Sequence, residues 1–533
     1  MGIPYYFYSL TQKYNTILSN NKPVGLDFYC IDFNGIIHNV AQDVIRRYKD
    51  AADAVVQTSD IESEIISGVW ERIKYYFENY KADKYIICAD GVAPLAKMFQ
   101  QRKRRYLNIY KNTLDNVAIT WDTNAITPGT LFMDKLNQYI RENIKGDERY
   151  KSKVMYSGSD ECGEGEHKIF HRLKETPVSD KIVIHGLDAD LIILSLMSHK
   201  ENIYLMREMK DPHTNNTVFN YLNIKELRKA ILCELKMSWN IECDAATEED
   251  LIETYCTACS ILGNDFIPHL LTIELKNNGI DTLLSATKRA IQSNGLLVHN
   301  GAINHNCLID IFKYLANTED EDIHRICERY IKKKPPLVAT HPNANSPSVI
   351  PSDYYGLKNK DPLIHTIYNS PNKWRQEYYR IIFDNNISID STVMFNACNN
   401  YIKGIYWVYS YYKGGAIDCE WYYPYNYPPT IKDILNHTIA NEAPVLHNDN
   451  SSNDSDNAFV PPYIQLLIVL PKYSVHLLTK KYQRYMLDIY SGLFHMYPVK
   501  YEVQTFLKTQ LWECSPILPL INLNYIKKVL ELK

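Results

Sequence analysis

Acidic residues follow three apolar segments of the chain, each of which has the pattern of a buried strand. Asp32 ends PVGLDFYCID, Asp90 follows DKYIICA, and Asp188 and Asp190 follow DKIVIHGL. In open α/β sheets, ligand sites form just beyond the carboxyl ends of the strands. One Asp after a strand is most simply a turn or helix-cap residue. Three strands that deliver acids to the same edge instead favour a site that binds cations.

Two other motifs add acidic side chains to this set. In GSDECGEGEHKIF, Glu164 and Glu166 flank Gly165, which would let a ligand approach closely. The alternative is the start of a surface helix, with acids near its positive end. In SILGNDFIPHL, Asp265 lies between apolar segments. There it either caps a helix end or carries a charge that needs compensation.

Together these carboxylates would place more negative charge in one region than a fold tolerates without cations. The set is Asp32, Asp90, Glu164, Glu166, Asp188, Asp190 and Asp265. Hard divalent cations prefer oxygen ligands, and Mg²⁺ is the usual one in phosphate chemistry. Two such ions about 4 Å apart would stabilise the attacking water and the leaving oxygen of a phosphodiester. The predicted chemistry is metal-dependent phosphodiester hydrolysis.

A basic stripe follows Asp90 in DGVAPLAKMFQQRKRRYL. If this segment is a helix, Lys97, Gln101, Arg104 and Arg105 share one face, at i, i+4, i+7 and i+8. Such a stripe is more often a solvated face. Because the helix would begin just after an acidic strand end, we interpret the stripe as a pocket for a terminal phosphate.

Two aromatic features accompany the charged groups. His38 follows Asp32 by about two helical turns. Trp421 lies in EWYYPYNYPP, which is too rich in aromatic residues and proline for a plain helix or strand. Bases of single-stranded RNA stack on such rings. For either ring alone, packing in the core is the alternative.

The elements that must position these groups alternate between strand-like and helix-like segments. Helical patterns such as IESEIISGVWERIKYYFENY and PGTLFMDKLNQYIREN separate the apolar runs. This order predicts an α/β fold with a mostly parallel sheet flanked by helices. We predict a first domain over residues 1–335, a linker or irregular crossing over 336–365, and a second, mixed but largely helical region over 366–533.

The bulk composition is that of a globular protein with several cores. The 533 residues carry a net charge of −4, so any nucleic-acid site must be a local basic patch. The 12 cysteines follow no disulfide framework, and the Cys256/Cys259 pair has no second pair with which to bind zinc. Reduced thiols favour an intracellular protein. No apolar run approaches the roughly 20 residues that span a bilayer, so no membrane is expected.

The order of the motifs identifies the family that the chain resembles. MGIPYYF, LDFYCIDFNGIIHN, ADGVAPLAKMFQQRKRRY, ITPGTLFMDKL, SDECGEGEHKIF, GLDADLIILSL and LGNDFIPHL occur in the order seen in the XRN family of 5′→3′ exoribonucleases. KWRQEYYR, YIKGIYWVYSYYKGG, EWYYPYNYPPTIKDI and YIQLLIVLPKYS extend the resemblance across the second region. It implies a PIN-like, flap-nuclease-related core over which the second region closes. It also implies Mg²⁺-dependent hydrolysis of single-stranded RNA with a 5′ monophosphate to nucleoside monophosphates, with Mn²⁺ as a substitute metal.

The resemblance also implies roles for single residues. The seven acids would bind the metal ions and support catalysis, and His38 would stack on the first base opposite Trp421. The 5′-phosphate pocket would be formed by Lys97, Gln101, Arg104 and Arg105.

Two positions depart from the family pattern. Leu95 occupies the position where the family has Arg, and Cys419 the position of an earlier Trp in the aromatic motif. We therefore expect altered contacts near the phosphate, and the identity of the stacking ring stays open.

The chain resembles the catalytic core of the large cytoplasmic members, without their further domains. We therefore expect a compact cytoplasmic exoribonuclease, of a kind that a virus could encode. Two other functions stay open. A structure-selective 5′ nuclease on DNA flaps would be distinguished by comparing matched RNA and DNA strands. A catalytically silent RNA-binding scaffold would be marked by loss of the metal-site acids, and none of the seven is lost.

Overall fold

The computed structural model describes residues 3, 5–50, 57–210, 217–236, 244–337, 350–387, 390–444 and 459–530. The strands are β1 (Leu18–Ser19), β2 (Leu26–Asp32), β3 (Ala82–Cys88), β4 (Val154–Ser157), β5 (Lys181–His185), β6 (Asn202–Lys210), β7 (Thr217–Asn223), β8 (Val298–His299), β9 (Ala302–Ile303), β10 (Val503–Gln504) and β11 (Ser515–Pro516). Part of the predicted crossing, residues 338–349, lies outside the described residues, as does most of the Asn- and Ser-rich segment 447–459.

The helices of the first part are α1 (Tyr6–Lys13), α2 (Phe33–Asp50), α3 (Thr58–Asn79), α4 (Leu95–Leu114), α5 (Leu131–Gly146), α6 (Gly165–Leu173), α7 (Asp190–Met197), α8 (Ile224–Lys236), α9 (Ala245–Cys259), α10 (Gly279–Asn294), α11 (His305–Ala316) and α12 (Glu319–Lys332). Those that follow are α13 (Tyr355–Lys358), α14 (Pro362–Asn369), α15 (Trp374–Ile382), α16 (Thr392–Lys413), α17 (Ile431–Ala440), α18 (Pro462–Val469), α19 (Lys480–Leu487) and α20 (Leu523–Val529).

A seven-stranded sheet forms the centre of the first part. Its strand order is β1-β7-β6-β5-β2-β3-β4. Five adjacent strands run parallel to one another: β6, β5, β2, β3 and β4. Strand β7 is antiparallel to β6, and β1 is antiparallel to β7. The predicted α/β fold, with a mostly parallel sheet flanked by helices, is confirmed, and a largely helical region follows it.

Both faces of the sheet are buried, which explains why its central strands read as continuous apolar runs. Successive residues of β2 point to opposite faces: Cys30 belongs to one core, and Tyr29 and Ile31 belong to the other. The first core contains α6, α7, α9 and part of α16, and the second contains α2, α3 and α5.

Helix α4 connects the sheet region to the later helices. Its residues Leu95, Met98 and Phe99 are buried in a third core, together with Leu467 of α18 and Ile526 of α20. Arg102, which is 1% exposed, donates to the main-chain carbonyl oxygen of Met496. One face of α4 is therefore fixed by the second region, and its other face is available to form part of a site.

An ion-pair network also joins the two regions. His199, directly after α7, pairs with Glu249 and Glu253 of α9, and Glu253 in turn binds Lys413 of α16. The hydrogen bond to Glu249 is the main cause that raises the pKa of His199 from 6.5 to about 9. Because the pKa of His199 is higher in the folded than in the unfolded protein, the protonated histidine stabilises the native state.

We expect His199→Gln to lower the free energy of unfolding below a pH of about 6.5, where the charged histidine is fully present. This loss should fade as the pH rises through about 9, because wild-type His199 then becomes neutral. Denaturant unfolding at about pH 6 and about pH 10 would test this, with the exposed His495→Gln as the control. An equal loss at both pH values would contradict the prediction.

Within the described residues, no helix combines the length and hydropathy that crossing a membrane requires.

Candidate active site

Three neighbouring strands bring acidic residues to the same edge of the sheet. Strand β2 lies between β3 and β5, parallel to both, and Asp32 at its end pairs in register with Cys88 of β3. Asp90 follows β3 by two residues, and Asp188 follows β5 by three. The carboxyl ends of these strands therefore bring the three acids close together.

A cavity of about 620 Å³ opens at this edge, and we call it the main cavity. Five acids line it: Asp32, Asp90, Glu164, Glu166 and Asp188. It is also lined by His38 from α2 and by Lys97, Gln101, Arg104 and Arg105 from α4. The structure thus brings ten of the predicted site residues to one cavity.

Asp90 is held by three hydrogen bonds. The side-chain amide of Asn34 donates to Oδ2 of Asp90 at 2.8 Å, and the N–H of Gly165 donates to Oδ1 at 2.7 Å. The main-chain N–H of Asp90 donates to Oδ1 of Asn34 at 3.1 Å. A Cβ atom at Gly165 would lie 2.7 Å from the carbonyl oxygen of Cys88 and 3.3 Å from Oδ1 of Asp32. Glycine is required here because α6 begins in contact with the acidic cluster.

Lys97 supplies positive charge inside the cluster. Its ammonium donates to Oδ2 of Asp265 at 2.8 Å and to Oε2 of Glu164. Burial opposes the charge on Lys97, but Asp265 and Glu164 outweigh burial and raise the pKa of Lys97 well above its usual value. Asp265 is thereby joined to the site, although Lys97 lies between it and the main cavity.

The pKa shifts of the remaining acids reflect their burial and their closeness to one another. Burial, together with the charges of Asp90 and Asp188, raises the pKa of Asp32 to about 8. Burial and the charge of Asp188 raise the pKa values of Glu166 and Asp190 well above their ordinary range. In Asp188 itself, nearby positive charge, including Lys97, outweighs burial and lowers the pKa.

Asp190 is a buried acid at the start of α7. Its side chain is 0% exposed, and within the described residues no hydrogen bond of normal geometry reaches either of its carboxylate oxygens. A buried carboxylate without partners is costly. The donor set around it therefore fits a cation that binds oxygen ligands.

A second set of donors lies at the start of α6. One ligand atom from each of Glu164, Glu166 and His167 lies within 4.8 Å of the others. Nε2 of His167 is buried without a hydrogen-bond partner, and burial lowers the pKa of this histidine to about 3. The neutral imidazole is therefore available as a ligand or as an acceptor.

The α4 wall of the main cavity carries the predicted phosphate pocket. Arg105 donates from Nη2 to the hydroxyl oxygen of Thr127 at 2.8 Å, whereas its Nη1 is buried and has no partner among the described residues. Burial and the neighbouring Arg104 lower the pKa of Arg105 to about 9. Burial and the two arginines lower the pKa of His38 to about 4. An anion placed in this wall would relieve the mutual repulsion of the arginines.

Trp421 does not reach this cavity. It is 5% exposed, and its ring centroid lies 5.1 Å from that of Trp407 inside the first core. Trp421 was predicted to stack on a base opposite His38, which would require its ring to line the main cavity. The ring lies in the interior instead. The aromatic motif was interpreted from composition, which cannot distinguish a stacking ring from a core ring.

The two departures from the family pattern are in direct contact. The main-chain N–H of Leu95 donates to the carbonyl oxygen of Cys419 at 2.8 Å. Leu95 is buried in the third core rather than facing the main cavity. The aromatic motif therefore meets the first turn of α4 at these two residues.

Three residues that support the site were not predicted from the sequence. Asn34 orients Asp90, Tyr411 of α16 donates its hydroxyl to Oε1 of Glu164, and Lys168 donates to the carbonyl oxygens of Ala89 and Gly158. Only Asn34 had a detectable signal, as a polar residue two positions after a strand end. Tyr411 lies 247 residues from its partner, which no local pattern reveals.

Comparisons with known proteins agree with this geometry. The family model described as the XRN 5′-3′ exonuclease N-terminus matches residues 1–209. The model described as the Xrn1 helical domain matches residues 246–361 and 358–531.

Several curated proteins are similar along the whole chain. Human 5′-3′ exoribonuclease 1 is 26% identical and matches 100% of this chain, and its Saccharomyces cerevisiae namesake is 25% identical and matches 98%. The match covers 34% of the human protein and 42% of the yeast protein, so this chain spans less than half the length of either. Gallus gallus 5′-3′ exoribonuclease 2 is 24% identical, with 100% of this chain and 70% of that protein covered. The chain belongs to the XRN family of 5′-3′ exonucleases.

Proposed function

We propose that this chain is a metal-dependent 5′→3′ exoribonuclease that hydrolyses single-stranded RNA with a 5′ monophosphate to nucleoside monophosphates. One observation carries the proposal: acids suited to metal ions and arginines suited to a terminal phosphate line the same cavity, the main cavity. The names of the related proteins support the reaction type and the direction. The seven acids are the proposed metal ligands.

Mg²⁺ is the proposed metal, with Mn²⁺ as a substitute, because the donors are almost all carboxylate oxygens. The unpartnered oxygens of Asp190 and the close approach of Gly165 to Asp32 are the features that fit bound ions. Two bound ions would supply an activated water and would stabilise the leaving oxygen.

The residues of the chain bind and orient the substrate around this centre. The 5′ phosphate binds to Arg104, Arg105 and Gln101, because a guanidinium donates paired N–H groups to phosphate oxygens. His38, which is neutral above a pH of about 4, offers an uncharged ring to the first base. Lys97 balances the charge of Glu164 and Asp265 and keeps them in place.

This arrangement explains the expected selectivity for the 5′ end. A monophosphate matches a pocket with two arginines, whereas a hydroxyl end offers no charge, and a triphosphate or a cap needs more space. A duplex must be melted, because the cavity accepts a single strand.

A product analysis tests the proposal. Otherwise identical RNA strands with 5′-monophosphate, 5′-triphosphate and 5′-hydroxyl ends are incubated with and without Mg²⁺, beside a matched 5′-monophosphate DNA strand. We expect nucleoside monophosphates from the monophosphorylated RNA only, and only with metal. Faster cleavage of DNA would favour the flap nuclease, and binding without cleavage would favour the scaffold.

We also propose that the sheet is of the PIN-like, flap-nuclease-related type, because its acids collect at the carboxyl edge of a parallel sheet. The division into residues 1–335, 336–365 and 366–533 and the cytoplasmic location are proposed with it.

Tyr411 is proposed as a positioning residue, because its hydroxyl binds Glu164 from the second region. We expect Tyr411→Phe to lower kcat/KM about tenfold and to raise the Mg²⁺ concentration needed for half-maximal activity, since groups that orient metal ligands typically contribute at this level. The control is Tyr409→Phe on the same helix, which removes a 2.8 Å hydrogen bond to Glu253 outside the site. An unchanged metal requirement in Tyr411→Phe would contradict the role.

A further inference from the structure

A second cavity, of about 240 Å³, lies on the other side of the Lys97–Asp265 ion pair. It is bordered by Phe99, Lys103, Phe266, Lys508 and Trp512. Lys97 lines the main cavity and Asp265 lines this one, so their ion pair separates the two. None of these five bordering residues has a role in the function proposed above.

Two lysines in the second cavity lack acidic partners. Within the described residues, neither the Lys103 nor the Lys508 ammonium forms an ion pair with a carboxylate. Lys103 lies 4.4 Å from the centre of the Phe99 ring, and Lys508 lies 3.2 Å from Nε2 of His269. Because Nδ1 of His269 faces the carbonyl oxygen of Leu270 at 2.9 Å, Nε2 is the acceptor for Lys508.

The acids of the second cavity are already satisfied by other groups. Asp265 is paired with Lys97, and Glu274 is paired with Arg329 at 3.8 Å. Glu513 is paired with Lys276 and accepts the main-chain N–H of Thr509 at 2.9 Å. Lys103 and Lys508 therefore add positive charge to the second cavity that none of these acids neutralises through an ion pair. Burial and the proximity of Lys508 lower the pKa of Lys103 to about 8, and burial lowers the pKa of Lys508.

Unpartnered amide groups and aromatic rings complete the wall. Gln100 is 8% exposed, and its Oε1 is buried without a hydrogen-bond partner, as is Nδ2 of Asn264. Trp512 is 45% exposed and lies against Tyr5, with ring centroids 5.6 Å apart. The cavity thus combines cations for an anion, amides for polar edges and an accessible ring for stacking.

We propose that the second cavity binds one nucleotide, with its phosphate between Lys103 and Lys508 and its base against Trp512. Two neighbouring ammonium groups that form no ion pair within the described residues attract a phosphate, and a base stacks on an exposed aromatic ring. Oε1 of Gln100 and Nδ2 of Asn264, which have no hydrogen-bond partner among the described residues, would suit a ligand that offers both a donor and an acceptor, as a nucleobase does.

Two sources can supply such a nucleotide. A groove of about 400 Å³ along α4 shares Arg104 and Asn108 with the main cavity, and Lys103 and Trp512 with the second cavity. The nucleotide is therefore either a free nucleoside monophosphate or an unpaired nucleotide of a bound RNA chain. Both present the same base and phosphate to the cavity.

Calorimetric titration with adenosine 5′-monophosphate in EDTA tests the site without any need for catalysis. In the full chain with Arg104→Ala and Arg105→Ala, which removes the arginines of the main cavity, we expect one nucleotide to remain bound. Adding Lys103→Met or Lys508→Met should weaken this binding about tenfold. Lys111→Met, on the same helix but paired with Asp353, is the control and should leave it unchanged. Unchanged affinity in both test variants would overturn the proposal.

Trp512→Ala provides an independent test, since an exposed side chain can be replaced with little risk to folding. We expect it to weaken binding of adenosine 5′-monophosphate but not of inorganic phosphate. Equal affinities of wild type for the two ligands would overturn the assignment to a nucleotide. A short 5′-hydroxyl RNA that displaces the nucleotide identifies the RNA chain as the source, and failure to displace it identifies the free nucleotide; either result is compatible with the site.

Discussion

Asp190→Asn is expected to abolish RNA hydrolysis while making the metal-free chain more resistant to unfolding. Asp190 is fully buried and lies among other acids, and within the described residues neither of its carboxylate oxygens has a hydrogen bond of normal geometry, which is why we propose that it binds a cation. Its raised pKa means that keeping it either ionised or protonated at neutral pH costs folding free energy. Asparagine keeps the shape and removes the ionisable group.

The two effects are measured separately. We expect kcat/KM to fall about 10³-fold or more, because a metal centre supplies several kcal/mol of transition-state stabilisation. In EDTA at neutral pH, the unfolding temperature should rise by about 2 °C. The gain should disappear near pH 4, where the Asp190 side chain would be protonated in the unfolded chain as well. The matched control is Asp83→Asn at the exposed, opposite end of β3, which should change neither quantity. A variant that remains active would remove Asp190 from the metal site.

Arg104→Ala is expected to erase the preference for 5′-monophosphorylated RNA over 5′-hydroxyl RNA. Arg104 is an exposed residue of α4 that lines the main cavity beside Arg105, so it can reach a phosphate at the end of a strand. Hydrogen bonds to a charged group contribute about 1.5–3 kcal/mol, which corresponds to about a ten- to hundredfold loss in kcat/KM for the monophosphate.

The measurement is the ratio of kcat/KM values for the two RNA ends. Activity on hydroxyl ends should change little, because that substrate makes no contact with the arginine. The control is Lys111→Ala on the same helix, whose ammonium pairs with Asp353 and does not line the main cavity. If Arg104→Ala preserved the wild-type ratio, the phosphate would have to bind elsewhere.

The part of the site that follows from strand ends and one helix was predictable. Asp32, Asp90 and Asp188 could be placed together because parallel strands present their carboxyl ends at one edge. The four positions of the α4 stripe could be placed together because 3.6 residues make a turn. Both arguments need only local periodicity and a general rule of sheet topology.

The remaining parts depend on contacts between distant segments. Lys97 was predicted to face a phosphate, but the structure pairs it with Glu164 and Asp265, whose positions relative to α4 are set by tertiary packing. Tyr411 and the interior position of Trp421 depend on how α16 and the aromatic motif dock onto the first core. Composition and periodicity do not specify such docking.

The two faces of α4 have a consequence for how this chain can be shortened. One face carries Gln101, Arg104 and Arg105, and the other buries Leu95 and Met98 under helices from the far end of the chain. A polypeptide limited to residues 1–335 would expose this apolar surface to water, and we expect it to aggregate. Helices α18 and α20 therefore hold α4 in place, and removing them should also displace Gln101, Arg104 and Arg105.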